Sequence, residues 1–584
     1  MISFPANWNI TNRTVNSMKT PTFIILSVIL ALLTGACSDK SAVVPVKPPA
    51  EVVIEPPNEI PDLPFGAWSA KSLSLPFAFE NVTQTTVLKS VDVNVNFSKY
   101  ITKVSKYVYG NNANCFTGWM QNDAPLMQNM NKLNMGVMRI PGGSISDVYF
   151  WNRKGIYTNY ALTAYDPPIN DIPSSISPWV GRRIQDFENW SMGIDQYYQM
   201  MQQIGATGMI TVNYGYARYG TSLNPVAQAA HLAANWVRED NGKSKFWEIG
   251  NEVSGSWEAG YEIDQSLNKD GQPKIITGDL YGRHALVFID SMRQAARQIG
   301  KEIYIGAVCA ESANSAMASW NKDLIALVGG KVDFYIVHSY FTPYQGNSTP
   351  DVILNSPVKV ADYKTYVQSE LIAQGKSIAP VFLTEWNIFA EGSAQAVSFI
   401  NGMHASMILG ELIKNKYELA SRWDLANGWN KGNDHGLFST GDEPGVSKYA
   451  ARPAFYYMYY FQKYFGDIMV DATSTNSDVV VYGSKFSSGE AGIVLVNKGI
   501  QEKVVELRFK NYNPGARYYT YTLTGGTDNG NFSRKVYVNG ITTSTAGGGP
   551  ENFESIKPKS STISGNIKIS LPKYSVIHLL VEKK

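Results

Sequence analysis

Between residues 105 and 465 short runs of consecutive apolar residues alternate with longer stretches in which apolar residues recur every three to four positions. The runs are Tyr107–Tyr109, Gly136–Ile140, Met209–Gly215, Phe246–Ile249, Ile303–Val308, Val332–Tyr340, Val381–Leu383 and the SRWDLANGW segment Ser421–Trp429. Runs apolar on both faces suit strands of a buried parallel sheet, and the spaced stretches suit amphipathic helices. Helices are expected over Pro125–Leu133, Ala227–Val237, Leu280–Ile299, Leu324–Val328, Tyr363–Gln374 and Ala394–Ile413, with a further amphipathic segment within Ile184–Ile204 and Gly300 as a stop signal. About eight strand–helix repeats close a (β/α)8 TIM barrel. An open doubly wound sheet competes, but no GxGxxG follows the first run, and such a sheet gives so many polar strand ends no common place.

From about Asp467 the period changes to two. SDVVVYGSKF, AGIVLVNKG, KVVELRFKN, ARYYTYTLTG, RKVYVNG, NIKISLP and SVIHLLVEK alternate apolar and polar residues between Gly/Asn turns, predicting an all-β sandwich. Alternation in Ser69–Thr102 (VLKSVDVNVNF) predicts strands that complete it and bring both chain ends to one barrel flank. The chain is therefore α/β, divided into a leader (1–37), a Pro-rich linker (38–65), N-terminal strands (66–104), a barrel (105–465) and a sandwich (466–584). The sandwich is expected to be structural, its tyrosines suiting packing as well as glycan binding.

The ends change the picture of where the protein works. Met18-Lys19, the apolar run Phe23–Leu33 and LTGAC ending at Cys37 read as a secretory leader with a bacterial lipoprotein box, and translation is expected to start at Met18. Cys37 is then the acylated first residue of a lipoprotein exported to the cell envelope; a plain secretory signal or an uncleaved anchor is the competing reading. The proline-rich Ser38–Leu63 is a semi-stiff tether. With 51 basic against 49 acidic residues and no charge run, nucleic acid is not expected as a partner, and the membrane is expected only through the lipid. Cys115 and Cys309 read as small core residues, with one bridge possible in an exported protein. The six histidines show no ligand spacing, so neither metal nor cofactor is expected. Aromatics, at 12%, often sit beside polar residues, which suits stacking on sugar rings as well as filling a large core.

The strands end in Asn112, Arg139, Asn213, Asn251-Glu252, His338 with Tyr340, Glu385 and Trp423. Strand C-termini of a barrel face one mouth, so these side chains should converge. Two carboxylates delivered there supply what glycosidic cleavage needs, a proton donor for the leaving oxygen and a group to trap the cationic carbon. Glu252 suits the donor, its pKa raised by burial, with Asn251 contacting a neighbouring sugar hydroxyl. Glu385 suits the nucleophile, its pKa lowered by Arg139 and its carboxylate oriented by Tyr340. Trp423 suits an apolar floor, and His338 a partner to either carboxylate or simply a satisfied core histidine. A structural ion pair explains one buried Glu; two at strand ends, one within GNE, favour catalysis. Glu188, Glu248, Glu258 and Asp424 are further nearby acids, with Glu248 expected to face away from the mouth.

RIPGGSISDVYFW (Arg139–Trp151), WEIGNEVSGSW (Trp247–Trp257), DFYIVHSY (Asp333–Tyr340) and TEW (Thr384–Trp386), with the trailing sandwich, resemble clan A retaining glycoside hydrolases and most closely the α-L-arabinofuranosidase family. The resemblance implies Glu252 as acid/base, Glu385 as nucleophile, Asn251 on the sugar 2-hydroxyl, a glycosyl-enzyme intermediate and carboxyl groups about 5 Å apart. Thr384 stands where the family often has Asp, and the loops Asn152–Asn189 and Gly260–Thr277 are distinctive. The leading expectation is an exo-acting α-L-arabinofuranosidase on plant or algal polysaccharide, its substrate contacts drawn from Asn251, Arg139, Asn213, His338, Tyr340, Trp423 and Trp257. The alternatives are an endo-glycanase on xylan, xyloglucan or an algal polymer, with a groove lined by Trp119, Trp151, Trp190 and Trp257, and a glycan-capturing lipoprotein without turnover.

Overall fold

The computed structural model describes residues 55–154, 171–182, 190–313, 317 and 319–584. The leader with Cys37, most of the linker and the greater part of the loop 152–189, Glu188 included, lie outside the described residues. Residues Val53–Lys584 form one compact unit.

Eight strands pair in sequence order and close on themselves: β1 (Gly110–Asn112), β2 (Val137–Ile140), β3 (Thr207–Val212), β4 (Ser244–Ile249), β5 (Tyr304–Val308), β6 (Phe334–Tyr340), β7 (Val381–Asn387) and β8 (Ala420–Arg422). All neighbours run parallel. This is the (β/α)8 barrel, and every residue of β2 and β7 is buried, as expected of strands packed inside by each other and outside by helices. The covering helices follow the amphipathic stretches. In Gly278–Gln298 the Thr277 side chain accepts the Leu280 N–H at the start, and Leu280, Phe288 and Met292 turn inward.

Two strand ranges differ from the sequence expectation. The first strand is the polar Gly110-Asn111-Asn112, not Tyr107–Tyr109. Ser105 accepts the Tyr107 N–H and winds Lys106–Val108 into a tight 3-10 turn, which spends the apolar run on core packing. Only glycine permits the approach of β1 to β8, since a Cβ at Gly110 would lie 2.3 Å from the Ala420 carbonyl oxygen. The last strand stops at Arg422; Ala426–Asn427 then pairs with Phe438–Ser439 in a separate ribbon.

The second layer is one long sheet that joins strands preceding the barrel to those following it. Val91–Lys103 runs antiparallel to Ile468–Ser474 and parallel to Lys503–Lys510. Its VDVNVNF alternation buries Val91, Val93, Val95 and Phe97 against Leu495, Leu507, Ile577 and Leu579. From Ser69 to Ser90 only Glu80–Asn81 is a strand, paired with Lys559–Thr562. Tyr482, Val494, Val496 and Leu580 belong to the barrel's own core, joined to helices Phe399–Lys414 and Pro453–Tyr464. The latter, PAFYYMYYFQKY, carries apolar residues around most of its circumference and is buried along most of its length.

Candidate active site

The mouth is built by how β4 ends. Gly250 (φ +79°) and Glu252 itself (φ +41°) adopt left-handed backbone, and the Gly255 N–H donates to the Glu252 carbonyl at 2.6 Å. A non-glycine residue in that region costs roughly 1–3 kcal/mol and is held there by its surroundings. Asp147 supplies much of the hold. Its Oδ2 accepts the Asn251 N–H at 3.1 Å, and its Oδ1 accepts those of Tyr214 (3.1 Å) and Gly215 (3.0 Å), so one carboxyl ties together the ends of β3 and β4. Burial pushes Asp147 up to about 7, against the pull of those backbone donors.

Arg139, fully buried on β2, is the hub beneath the mouth. Its Nε donates to Glu248 Oε2 (2.5 Å), Nη1 to Glu385 Oε1 (2.8 Å) and Asn112 Oδ1 (2.9 Å), and Nη2 to Asn251 Oδ1 (2.8 Å). Glu248 also accepts from Thr211 Oγ1 at 2.7 Å. Glu248 therefore points into the barrel beneath the mouth and shares the guanidinium, without lining the cleft. A register shift between Val337 and His338 sets His338 beside Glu385. His338 Nδ1 lies 2.9 Å from Glu252 Oε1 and 3.8 Å from Glu385 Oε1, while its Nε2 meets Thr384 Oγ1 at 3.0 Å. Tyr340 Oη donates to Glu385 Oε2 at 3.1 Å, and Trp257 Nε1 to Glu252 Oε2 at 2.8 Å.

The electrostatics depart from the sequence expectation at both carboxylates. Burial raises Glu385 above the usual range, and His338 and Arg139 only partly offset it. At Glu252 burial acts the same way, but the His338 bond, His338's charge and the Trp257 bond outweigh it and leave the group below its ordinary value. Burial would lower His338, yet Glu385 and Glu252 hold it raised. Between these two groups the charge thus favours the outer carboxyl and the proton the deeper one. Glu258 is a third acid of a different kind. Its Oε1 accepts from Ser144 Oγ (2.8 Å) and Asn251 Nδ2 (2.9 Å), and burial beside Asp147 and Glu252 pushes it up to about 9, so it is a neutral acid at pH 7.

The cleft above these groups encloses about 1250 Å³. Tyr340 stacks on Phe389 with ring centroids 4.4 Å apart, and Tyr344 meets Phe389 edge-on at 5.0 Å, making one aromatic wall. Trp423 lies against the PGG turn of β2. A Cβ at Gly143 would come 2.8 Å from the Trp423 ring, and Gly143 has φ +58°, which gives the motif its physical reason. Glu252, His338 and Glu385 place ligand-capable atoms within 4.8 Å of one another, the one such trio among the described residues. Arg139 already neutralises charge there, so the trio reads as proton-transfer groups rather than as a cation site.

Of the residues singled out from sequence, Asn251, Glu252, Trp257, His338, Tyr340, Glu385 and Trp423 line the cleft together. Arg139 does not line it and acts from below through Glu385 and Asn251. Asn213 is a correction: its Oδ1 accepts the Tyr216 N–H (2.9 Å) and its Nδ2 faces the Tyr149 carbonyl and Tyr219 Oη, so it braces the turn after β3. Asp424 is fully buried beneath the mouth, its Oδ2 accepting from Asn114 (2.6 Å) and Asn427 (2.8 Å). Of the four tryptophans expected along a groove, only Trp257 lines the cleft; Trp151 is buried against Trp236 at 5.9 Å. Cys115 and Cys309 are both buried, and burial pushes the Cys309 thiol well up. Sequence reasoning missed Asp147, whose signal was an isolated acid inside SDVYFW, and Phe389, which lies beyond the TEW motif.

No family model matches the chain. An intracellular exo-α-(1→5)-L-arabinofuranosidase of Streptomyces lividans is 24% identical over 306 residues, 49% of this chain and 40% of that protein. A protein of the same name from Acetivibrio thermocellus is 23% identical over 278 residues, 44% of this chain and 47% of its own length. The match thus spans less than half of either relative. The crystal structure of the Thermotoga maritima α-L-arabinofuranosidase in its arabinose complex superposes with TM-score 0.61 and 17% identity, covering 84% of this chain and all of that one. At that identity the likeness establishes the architecture, a barrel with an appended β-domain.

Proposed function

We propose that the protein is a retaining glycoside hydrolase that removes α-L-arabinofuranosyl residues from plant or algal polysaccharide. The carrying observation is the pair Glu252 and Glu385, with oxygens within 4.8 Å, fixed by Arg139 below and His338 between. That spacing suits direct attack by a carboxylate, whereas about 6.5–9.5 Å is needed to seat a water for inversion. The similarity to two arabinofuranosidases supports the sugar.

In this reading Glu385 attacks the anomeric carbon as the bond to the leaving oxygen breaks and Glu252 gives that oxygen its proton. A water, deprotonated by Glu252, then cleaves the glycosyl ester, releasing the sugar and restoring Glu385. Turnover therefore needs the proton on Glu252 and the charge on Glu385. A sugar filling the cleft removes water from Glu252 and raises its pKa, and His338, in reach of both carboxylates, is the path by which the proton crosses. Asn251, held on both sides by Arg139 and Glu258, keeps one amide N–H for a sugar hydroxyl. A capture protein without turnover would have no use for two carboxyl groups set this close about one histidine.

The test is a panel of aryl glycosides (α-L-arabinofuranoside, β-xyloside, β-glucoside, β-galactoside) with the anomer of the first product read by NMR. Release of arabinose with retention supports the proposal; inversion, or a rate unchanged by Glu385→Gln, refutes it. We also read Cys37 as the lipid-bearing first residue of an envelope-anchored protein. Metabolic labelling with a fatty acid, lost in Cys37→Ala, checks that reading, and label retained in the variant overturns it.

A further inference from the structure

The catalytic groups make up only part of the lining of the cleft. At about 1250 Å³ it exceeds the roughly 300–1,000 Å³ of a pocket for one small ligand. It continues past Glu252 and His338, between the residues following β5 and the helix Lys359–Ala373. On that helix Lys359, Asp362, Tyr363 and Tyr366 border the cleft, spaced i, i+3, i+4 and i+7, so a single face of the helix forms the far wall. Glu311, which follows β5, borders the same space. Tyr363 is fixed in place, with Ser339 Oγ donating to its Oη at 2.8 Å and Phe341 packed on its ring at 5.7 Å. Among the described residues neither Lys359 nor Asp362 is in an ion pair, which leaves an ammonium and a carboxylate available to hydroxyl groups.

The position of this arm assigns its side of the scissile bond. On the glycosidase reading, the sugar undergoing attack lies over Glu385, in the part of the cleft bordered by Tyr340 and Trp423. The leaving oxygen must lie at Glu252, which delivers the proton, and the arm opens on the flank of Glu252 occupied by β5 and β6. We infer that the arm between Glu311 and the Lys359–Tyr366 helix face holds the leaving-group chain, a neutral polysaccharide bound over more than one sugar residue beyond the cleaved bond. Mixed polar groups and tyrosine rings are the chemistry that recognises such a chain: carboxylate and ammonium bond hydroxyls, and ring faces cover the apolar side of a sugar. The inference rests on the glycosidase reading above and adds that the enzyme is built for long leaving groups rather than for short fragments.

The test is kcat/KM of the full chain on 4-nitrophenyl α-L-arabinofuranoside and on arabino-oligosaccharides of increasing length, for the parent and for Tyr366→Ala and the double variant Lys359→Ala/Asp362→Ala. In the parent, kcat/KM should rise about tenfold or more as the leaving group lengthens beyond one residue. The variants should flatten that rise, mainly through KM, while changing the aryl substrate less than about threefold. A parent with no length dependence, or variants that keep the full rise, overturns the inference and leaves the glycosidase reading intact. Variants that lose the aryl substrate equally also overturn it, since the residues would then support the fold. No turnover of any arabinofuranoside refutes the reading on which the inference rests and is a different result.

Discussion

Replacing Arg139 with methionine tests the hub of the site. The guanidinium is fully buried and serves four acceptors, two of them carboxylates at 2.5 and 2.8 Å. Removing one partner of a buried ion pair strands the other charge and costs about 3–5 kcal/mol. The remaining carboxylates lower that cost only by taking up protons, and the shift expected at Glu385 follows from the same geometry. Two unit charges about 4 Å apart interact by about 4 kcal/mol at an effective dielectric of 20. At about 1.4 kcal/mol per pKa unit, the ceiling is about three units, less what His338 compensates. Glu385 is already raised by burial, so losing Arg139 drives it further up and moves the nucleophile towards its protonated form. Arg139→Met should therefore unfold in urea with about 3–5 kcal/mol less stability, and the acid limb of kcat/KM should move up by roughly one to three units. Arg139→Lys keeps the charge but offers one ammonium to four acceptors and should fall between. The measurements are urea unfolding at pH 7 and kcat/KM of the aryl arabinofuranoside from pH 4 to 9. A folded Arg139→Met with parental stability and an unmoved acid limb would refute the account of the hub.

Glu252→Ala should lose about 10²–10⁴-fold on substrates with poor leaving groups and far less on 2,4-dinitrophenyl arabinofuranoside, with azide restoring deglycosylation; equal losses on both would remove Glu252 from the acid/base role. Glu258→Gln should stay within a few-fold of the parent while Glu258→Ala loses about 10–100-fold, because the amide reproduces the neutral acid that holds Asn251 and Ser144; parity between the two variants would show that Asn251 needs no such support. Buried acids and buried histidines tilt stability in opposite directions with pH. Burial raises Asp147 and Asp434 to about 7, Glu418 to about 8 and Glu258 to about 9, so the folded chain keeps protons that the unfolded chain releases from about pH 4, and this contribution shrinks as pH rises and is gone once each folded value is passed. Burial lowers His284 to about 4 and His404, His435 and His578 to about 3, so the unfolded chain binds protons first and that contribution shrinks as pH drops below about 6.5. The two sets nearly cancel between about pH 4.5 and 6.5, and the acids alone still lose protons between about 6.5 and 8, so stability should be nearly level over the first range and fall over the second. Calorimetric Tm measured from pH 4 to 8 checks this, and a Tm that does not fall between about pH 6.5 and 8 would contradict the buried-acid account.

Local pattern carried much of this protein. Continuous apolar runs separated by amphipathic stretches specify strands buried on both faces and helices over them, and that arrangement alone forces Glu252, His338, Tyr340, Glu385 and Trp423 to one rim. The alternation in VDVNVNF likewise marks Val91–Lys103 as a sheet strand, because a period of two admits only one buried face. What the sequence left open depends on neighbours distant along the chain. Glu248 and Asn213 both sit at or near a strand end, yet one reaches inward to Arg139 and the other braces a turn, and only the packing of β2 against β3 and β4 decides which. The first strand fell on Gly110–Asn112 because close contact with Ala420, remote in sequence, admits a glycine there. The charge states of Glu252 and Glu385 are the clearest case. Burial pushes both the same way, and the difference between them is set by the bonds and charges of His338, Trp257 and Arg139, which the closed barrel brings together around them.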